Sequence, residues 1–338
     1  MESQNMVEGD RLKEDISGQT GYFLFSLDTE LAWGYFDLDS LRSKKFSSDG
    51  SRERKSIELL LDVLDEFDII ATWAVVGHLF YEKCEMCDIC PVLEWQGKYR
   101  SFEEIYETDS PLWYGADVIE TLLTRGAQHE IAFHGYTHKV FDESTMSVEE
   151  AKTEIREWKR LSGRKNLVPQ TVVFPRDRIG HLDLFKEAGF LCYRSDINPP
   201  LMVRNKYWGR YIKHIDHILS LSSPPVYELS ELYDASSGLM NFRTSQHIFG
   251  FNRRLEMILD SLSLHRLRIN RMIKGAKKAA DKKKVIHIWA HPWEFRTRKD
   301  FEKLRYLFDC LADEISKGRI QSIGMAELAR KAMGLDVG

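Results

Sequence analysis

The sequence predicts an α/β fold, a (β/α) barrel of about seven parallel strands, and three observations carry that reading. Short apolar runs alternate with longer amphipathic stretches, as when strands and helices take turns around a parallel sheet. Seven of those runs have the length and composition of strands. The 338 residues, 43% of them hydrophobic, are enough to bury one sizeable core, and α/β barrels of this length commonly form a single domain.

Taken in order, the expected strands are residues 22–28, 69–76, 130–134, 171–174, 190–194, 226–229 and 285–291. Between them the periodicity predicts helices over residues 51–67, 115–125, 147–161, 181–188, 250–283 and 299–317. Ser147 stands three positions before Glu150, a capping box that satisfies otherwise unpaired amides of a first helical turn. Residues 1–20 have neither apolar periodicity nor a strand pattern and are expected to be a poorly ordered tail ahead of one domain, residues 21–338. A loop insertion at about residues 82–112 carries little periodicity and falls near the expected barrel mouth, where functional loops tend to lie.

Composition narrows the partners. A formal charge of −4 gives no global attraction to phosphate polymers, so nucleic acid is not an expected partner. The N-terminus lacks the basic start and apolar core of a signal peptide, and no run reaches the roughly eighteen apolar residues of a membrane span. A cytoplasmic location is the expectation. Three of the five cysteines cluster at Cys84, Cys87 and Cys90, a poor disulfide framework that suits a reducing compartment. Their spacing also suits a structural metal, yet no fourth ligand stands nearby, and ordinary loop cysteines are the simpler reading. Residues 252–284 are strongly basic with an approximate apolar stripe. An outer barrel helix with a solvated face accounts for this, as does a peripheral contact with anionic lipid.

Chemistry-bearing residues gather at the predicted strand ends. The first strand ends in Asp28-Thr29-Glu30, two carboxylates whose alternate spacing points both the same way at the sheet edge where α/β folds place ligands. Alone, such a pair is more often a turn or a cap. The third strand runs into His134-Gly135-Tyr136-Thr137-His138; if the chain turns helical there, the two histidines share a face and can hold one borderline metal such as zinc. Phe174-Pro175-Arg176-Asp177-Arg178 follows the fourth strand, and Arg176 could clamp an ionised carboxylate with its planar fork or simply bridge on the surface. On the last strand His287, Trp289 and His291 alternate onto one side, with His291 nearest the catalytic edge as a candidate general acid and His287 deeper in the core. Aromatic residues cluster beside these motifs at Trp33, Tyr35, Phe36, Trp113, Tyr114, Tyr136 and Trp293. Sugars pack their C–H faces on such rings, and Trp33, Tyr136 and Trp293 are the candidates for substrate contact, against the alternative of core filling.

In this order the four elements resemble the polysaccharide deacetylase (NodB-like) family, over about residues 22–329. The resemblance implies a distorted (β/α) barrel of about seven parallel strands and an atypical branch of that family. It implies Asp28 as catalytic base, Glu30, His134 and His138 as ligands of a divalent metal ion, with zinc expected, His291 as catalytic acid, and a catalytic-site role for Arg176. Two departures mark the branch: Thr29 stands where the common motif has a second aspartate, and Phe174-Pro175-Arg176 reverses the usual arginine and proline. The function implied is removal of an acyl group, acetyl foremost, from an N-acylated sugar or glycan precursor, nucleotide- or lipid-linked, in polysaccharide biosynthesis. A deformylase or another hydrolase of non-peptide C–N bonds is the alternative within the fold. A sugar-binding pseudoenzyme is the alternative outside catalysis.

Overall fold

In the computed structural model the described residues are 20–35, 44–83, 110–125, 129–196, 222–249 and 266–335. The expected tail, Phe36, most of the 82–112 insertion with Cys84, Cys87 and Cys90, and residues 250–265 of the predicted basic helix lie outside them.

Among the described residues ten strands form one curled sheet: β1 (Gly21–Thr29), β2 (Thr72–Val75), β3 (Glu130–Phe133), β4 (Thr171–Val173), β5 (Cys192–Ser195), β6 (Tyr233–Asp234), β7 (Leu239–Arg243), β8 (Gln246–His247), β9 (Val285–Ala290) and β10 (Ile320–Ser322). Their order is β6-β7-β5-β4-β3-β2-β1-β9-β8, with β10 also against β1, and the named pairings are parallel except β6 with β7. Among the described residues the helices are, besides a single turn at Ser110–Trp113, α1 (Ser51–Glu66), α2 (Ala116–Arg125), α3 (Val148–Gly163), α4 (Leu182–Glu187), α5 (Arg266–Lys282), α6 (Arg298–Ser316) and α7 (Met325–Ala332). Among the described residues no helix is long and apolar enough to cross a membrane.

One segment closes the curl. β7 pairs with β5, Arg194 opposite Phe242, while β8, three residues on, pairs with β9, Gln246 opposite Ile288. At the crossover Thr244 N–H donates to the Ser195 carbonyl on one side, and Ser245 N–H donates to the His287 carbonyl on the other. Residues 239–247 thus act as a single stave between β5 and β9, and the expected distorted barrel follows.

Alternation along β1 explains the layers. Phe23 and Phe25 face outward, where both rings meet Phe308 of α6 edge-on at 6.3 and 5.5 Å. Leu24, Ser26, Asp28 and Glu30 take the other face. Leu24 joins Cys192, Met240, Phe242 and, from α7, Met325 and Leu328 in an apolar floor. Above it Ala74, Ala132 and Val173 leave room for polar side chains near the strand ends. The mouth lies at the C-terminal ends of the strands, as the sequence predicted.

Several expectations change. Residues 226–229 make only an isolated antiparallel bridge, Tyr227 to Val285, before a 3-10 turn at Leu229–Leu232. The stave that the sequence did not reveal is 239–247, because its Thr244, Ser245 and Gln246 are polar yet buried and break the apolar pattern. The predicted basic helix is helical over Arg266–Lys282 within the described residues, packed on α6 and β1. At α3 the capping box is present, with Ser147 and Glu150 bonded reciprocally. Substituting Ser147→Ala should cost about 1 kcal/mol in urea unfolding at pH 7. Ser147 and Lys139 depress the Glu150 carboxyl to about 2. A depressed acid stabilises above its unfolded value and loses that as pH falls through its folded one, so the gap between wild type and variant should narrow as pH drops below 4.5 toward about 2.

Candidate metal centre

Glu30 leaves β1 on its inward face and is buried, as are His134, the first residue after β3, and His138. Glu30 Oε2 lies 2.8 Å from His138 Nε2 and 3.4 Å from His134 Nε2, and the three candidate ligand atoms fall within 4.8 Å of one another. The chain between the histidines is not helical. Gly135 and His138 take left-handed backbone, φ 76 and 59, and the turn folds the two imidazoles together at 75° with centroids 5.0 Å apart.

Carboxylate and neutral imidazole both present lone pairs. His134 Nδ1–H donates to the Val173 carbonyl at 2.8 Å, which leaves Nε2 as the unprotonated nitrogen facing Glu30 in the neutral ring. Three such atoms at this spacing repel unless a proton or a cation lies among them. The donor set, two imidazole nitrogens and one carboxylate oxygen, fits a zinc-like ion with room for further ligands. Burial disfavours charge on Glu30, but His138 and His134 outweigh it and hold the carboxyl well below its usual range. Burial dominates at His138 and keeps that imidazole toward its neutral, ligating form.

Two further groups fix the ligands. A Cβ on Gly34 would lie 2.5 Å from Cδ of Glu30, so any side chain there would push that carboxylate aside. Glu154 of α3, buried, accepts bonds from the Tyr136 and Thr137 amides at 2.7 and 3.0 Å and from the Thr137 hydroxyl, and so ties down the loop between the histidines.

Asp28 is two residues back on the same face. Its carboxylate is gripped by both guanidinium nitrogens of Arg194 from β5, at 2.5 and 2.7 Å. Arg194 is 1% exposed, stacks 4.5 Å over the Trp289 ring and also reaches Asp177 and Ser26, each at 3.3 Å. Burial opposes charge on Asp28, but Arg194 prevails and holds the carboxyl low. Below, His287 Nδ1–H donates to the Phe242 carbonyl at 3.3 Å and Nε2 takes the Ser26 hydroxyl at 2.9 Å. Burial and the neighbouring Arg194 push His287 down to about 3, so it is a neutral core histidine.

His291 follows β9 with Nε2 3.7 Å from Glu30 Oε1. Its Nδ1 lies 3.0 Å from Glu294, which also accepts the His291 amide at 2.9 Å and contacts His247 Nε2 at 2.9 Å. Burial alone would neutralise His291, but Glu294, Glu30 and Asp28 raise it to about 9. The imidazole is therefore charged at neutral pH.

The structure brings Asp28, Glu30, His134, His138 and His291 to one mouth and moves Arg176 out of the role expected for it. Arg176 is exposed on a 3-10 turn with φ 56, and the fork on Asp28 belongs to Arg194. Trp33 and Tyr136 are not pocket lining either: Trp33 is fully buried between His78 and Trp113, and Tyr136 packs on His78 at 4.3 Å. Trp293 is buried too, but its ring stands 5.1 Å from that of His291. A cavity of about 710 Å³, lined by residues such as Arg54, Tyr81 and Lys165, has none of these groups in its lining.

Replacing Arg194→Met leaves Asp28 buried without its cation and should cost about 3–5 kcal/mol in denaturant unfolding. Glu154→Gln should weaken zinc binding by roughly 10–100-fold, read by competition with a chelator, with the fold retained by circular dichroism. Gly34→Ala, which displaces Glu30 directly, should weaken it in the same assay.

No family model matches the sequence. No curated protein matches it. Solved structures do. A protein from Mycobacterium smegmatis assigned as a polysaccharide deacetylase superposes with TM-score 0.54 at 13% identity, over 96% of this chain and 95% of its own. A 4-alpha-glucanotransferase from Thermococcus litoralis gives TM-score 0.49 at 16% identity over 92% of this chain and 40% of its own, and a pseudoenzyme of the CE4 family from Bacillus anthracis gives 0.39 at 12% over 93% and 66%. At these identities the likeness is one of architecture, and the chain has the fold of the polysaccharide deacetylases.

Proposed function

We propose that this chain is a metal-dependent hydrolase that removes an acyl group, acetyl foremost, from an N-acylated sugar or glycan precursor. One observation carries the reading: Glu30, His134 and His138 converge between a clamped carboxylate, Asp28, and a charged imidazole, His291.

An amide carbonyl is a poor electrophile, and its nitrogen is a poor leaving group until protonated. A divalent ion, zinc foremost, held by Glu30, His134 and His138 supplies a Lewis acid and an acidic water when bound. Asp28 takes the proton of the attacking water. Arg194 occupies one lone-pair direction on each carboxylate oxygen and leaves the others open, while keeping the group ionised. His291 Nε2 delivers the second proton to the departing nitrogen, and Glu294 on Nδ1 fixes the direction of that delivery. Both protons start where the chemistry needs them at neutral pH: off Asp28 and on His291.

The pseudoenzyme alternative drew on Thr29 and the reversed Phe174-Pro175-Arg176 element. In spite of both departures Glu30 stands against the histidine pair and Arg194 clamps Asp28, which favours a working site.

With N-acetylated and N-formylated sugars as substrates, released acetate and formate separate the deacetylase reading from the deformylase one. Asp28→Asn and His291→Ala should keep their zinc by elemental analysis and lose roughly 10²–10⁴-fold in turnover. His134→Ala should lose the zinc itself. Undiminished turnover by protein shown to be free of divalent metal sinks the mechanism.

A further inference from the structure

A second set of ligand-type atoms stands beside the first, on groups that the reaction uses only in part. Oε2 of Glu294 draws three nitrogens: His247 Nε2 at 2.9 Å, His291 Nδ1 at 3.0 Å and the His291 amide at 2.9 Å. A carboxylate oxygen offers two lone pairs, so three N–H donors cannot all be served there. The His247 ring is oriented by its other nitrogen, for Nδ1–H donates to the Phe249 carbonyl. In the neutral ring Nε2 is then a lone pair facing the carboxylate. His134 shows the same pattern, with Nδ1–H on the Val173 carbonyl and Nε2 toward Glu30. An outer bond to a backbone carbonyl is how ligating histidines are held.

The dimensions suit a small divalent ion. In tetrahedral zinc, bonds of about 2.0–2.1 Å set the ligand atoms roughly 3.3 Å apart. His247 Nε2, His291 Nδ1 and a carboxylate oxygen of Glu294 lie within 4.8 Å of one another, and the spacings of 2.9 and 3.0 Å need only open slightly. An ion there takes one lone pair of Oε2 together with both imidazole nitrogens, and leaves the other lone pair to the amide. The backing is firm: Arg268 of α5 donates to the carbonyls of His247, Ile248 and Phe249 at 2.8, 2.7 and 2.8 Å, and so holds the carbonyl that orients His247. The side chains of His247, Glu294 and His291 are 9, 14 and 19% exposed, which gives the ion a way in and space for a water.

We propose that His247, His291 and Glu294 form a second site for a divalent metal ion, zinc foremost, next to the Glu30 centre. The two sites meet at one ring: Nε2 of His291 stands 3.7 Å from Glu30 Oε1, and Nδ1 belongs to the second set. The site stands without the hydrolase reading, and only its effect on turnover rests on that reading. Zinc on Nδ1 replaces the proton there, so His291 keeps a single proton, on Nε2. Giving that proton to the departing nitrogen would leave an imidazolate instead of a neutral ring, and the residue no longer serves as an acid. Zinc in excess is thus an inhibitor that acts through the proton donor.

The test is a crystal of the full chain equilibrated with zinc well above the level that fills the Glu30 centre, with anomalous difference maps at the zinc edge. A peak bounded by His247 Nε2, His291 Nδ1 and Glu294 is expected in the wild type, and should vanish in His247→Gln while the Glu30 centre keeps its own. Equilibrium dialysis, with folding checked by circular dichroism, should show one zinc fewer per chain in His247→Gln and in Glu294→Gln. Because the map locates each ion, zinc taken up by Cys84, Cys87 or Cys90 is not mistaken for this one. No peak at the triad overturns the inference, whatever the Glu30 centre holds. A peak at the triad with the Glu30 centre empty upholds it and removes the metal-dependent mechanism instead. With both sites filled, turnover of an N-acetylated sugar should fall roughly 10²-fold or more and recover when the excess is chelated, and His247→Gln should show no such fall. Undiminished turnover with the peak present leaves the site standing and strips His291 of its role as acid.

Discussion

The buried guanidinium of Arg194 is the contact around which the barrel interior is organised. A full positive charge at 1% exposure is tolerable only where every neighbour answers it, and here the answers come from three staves: Asp28 and Ser26 on β1, Asp177 after β4, and the Trp289 ring on β9. The same charge depresses His287 and so keeps a deep imidazole neutral, while it keeps Asp28 ionised. Asp177 responds the other way: burial and the nearby Asp28 raise its carboxyl, with Arg194 only partly offsetting them. One cation thus helps to set the protonation states of two neighbours, and it leaves the mouth an ionised Asp28 near a charged His291.

Much of this was legible in the sequence, and what was not had a physical cause. Asp28, Glu30 and the His134–His138 pair could be read because each directly follows or ends an apolar run, so their place at a strand end needed only the period of the strand. His291 followed from alternation with His287 and Trp289. Arg194 could not be read that way. It ends the expected strand at 190–194, but its partner is 166 residues away in sequence, so only the register of β5 against its neighbours shows that it faces inward. The available signal was the anomaly itself, a charged residue directly after Leu191-Cys192-Tyr193 on the same strand, where a buried charge demands a partner. Arg176 drew attention instead because adjacency to β4 is visible in sequence and left-handed backbone is not.

The aromatic residues teach the complementary lesson. A tryptophan near a catalytic carboxylate reads equally well as a sugar platform or as packing. In this chain Trp33 gives its indole N–H to the Trp113 carbonyl at 2.8 Å and so belongs to the wall behind Glu30 rather than to its open side. The loop of the histidine pair is similarly supported from behind, by Glu154 and by the His78 ring against Tyr136. A metal site is as rigid as the shell that backs its ligands. Here that backing consists of a buried carboxylate and stacked rings, which the sequence presents as one unremarked Glu in the middle of a helix.

The shared stave at residues 239–247 has a mechanical meaning. Because its first half is bonded to β5 and its second half to β9, the strand bearing Arg194 and the strand leading to His291 are the two jaws of one clasp. Neither jaw can slide along its axis without dragging the clasp, and through it the other jaw. The spacing between the Arg194 clamp on Asp28 and the His291 imidazole is thus a single coordinate of the molecule rather than two. Any motion that widens the mouth must spread Asp28 and His291 together or break the barrel at this seam.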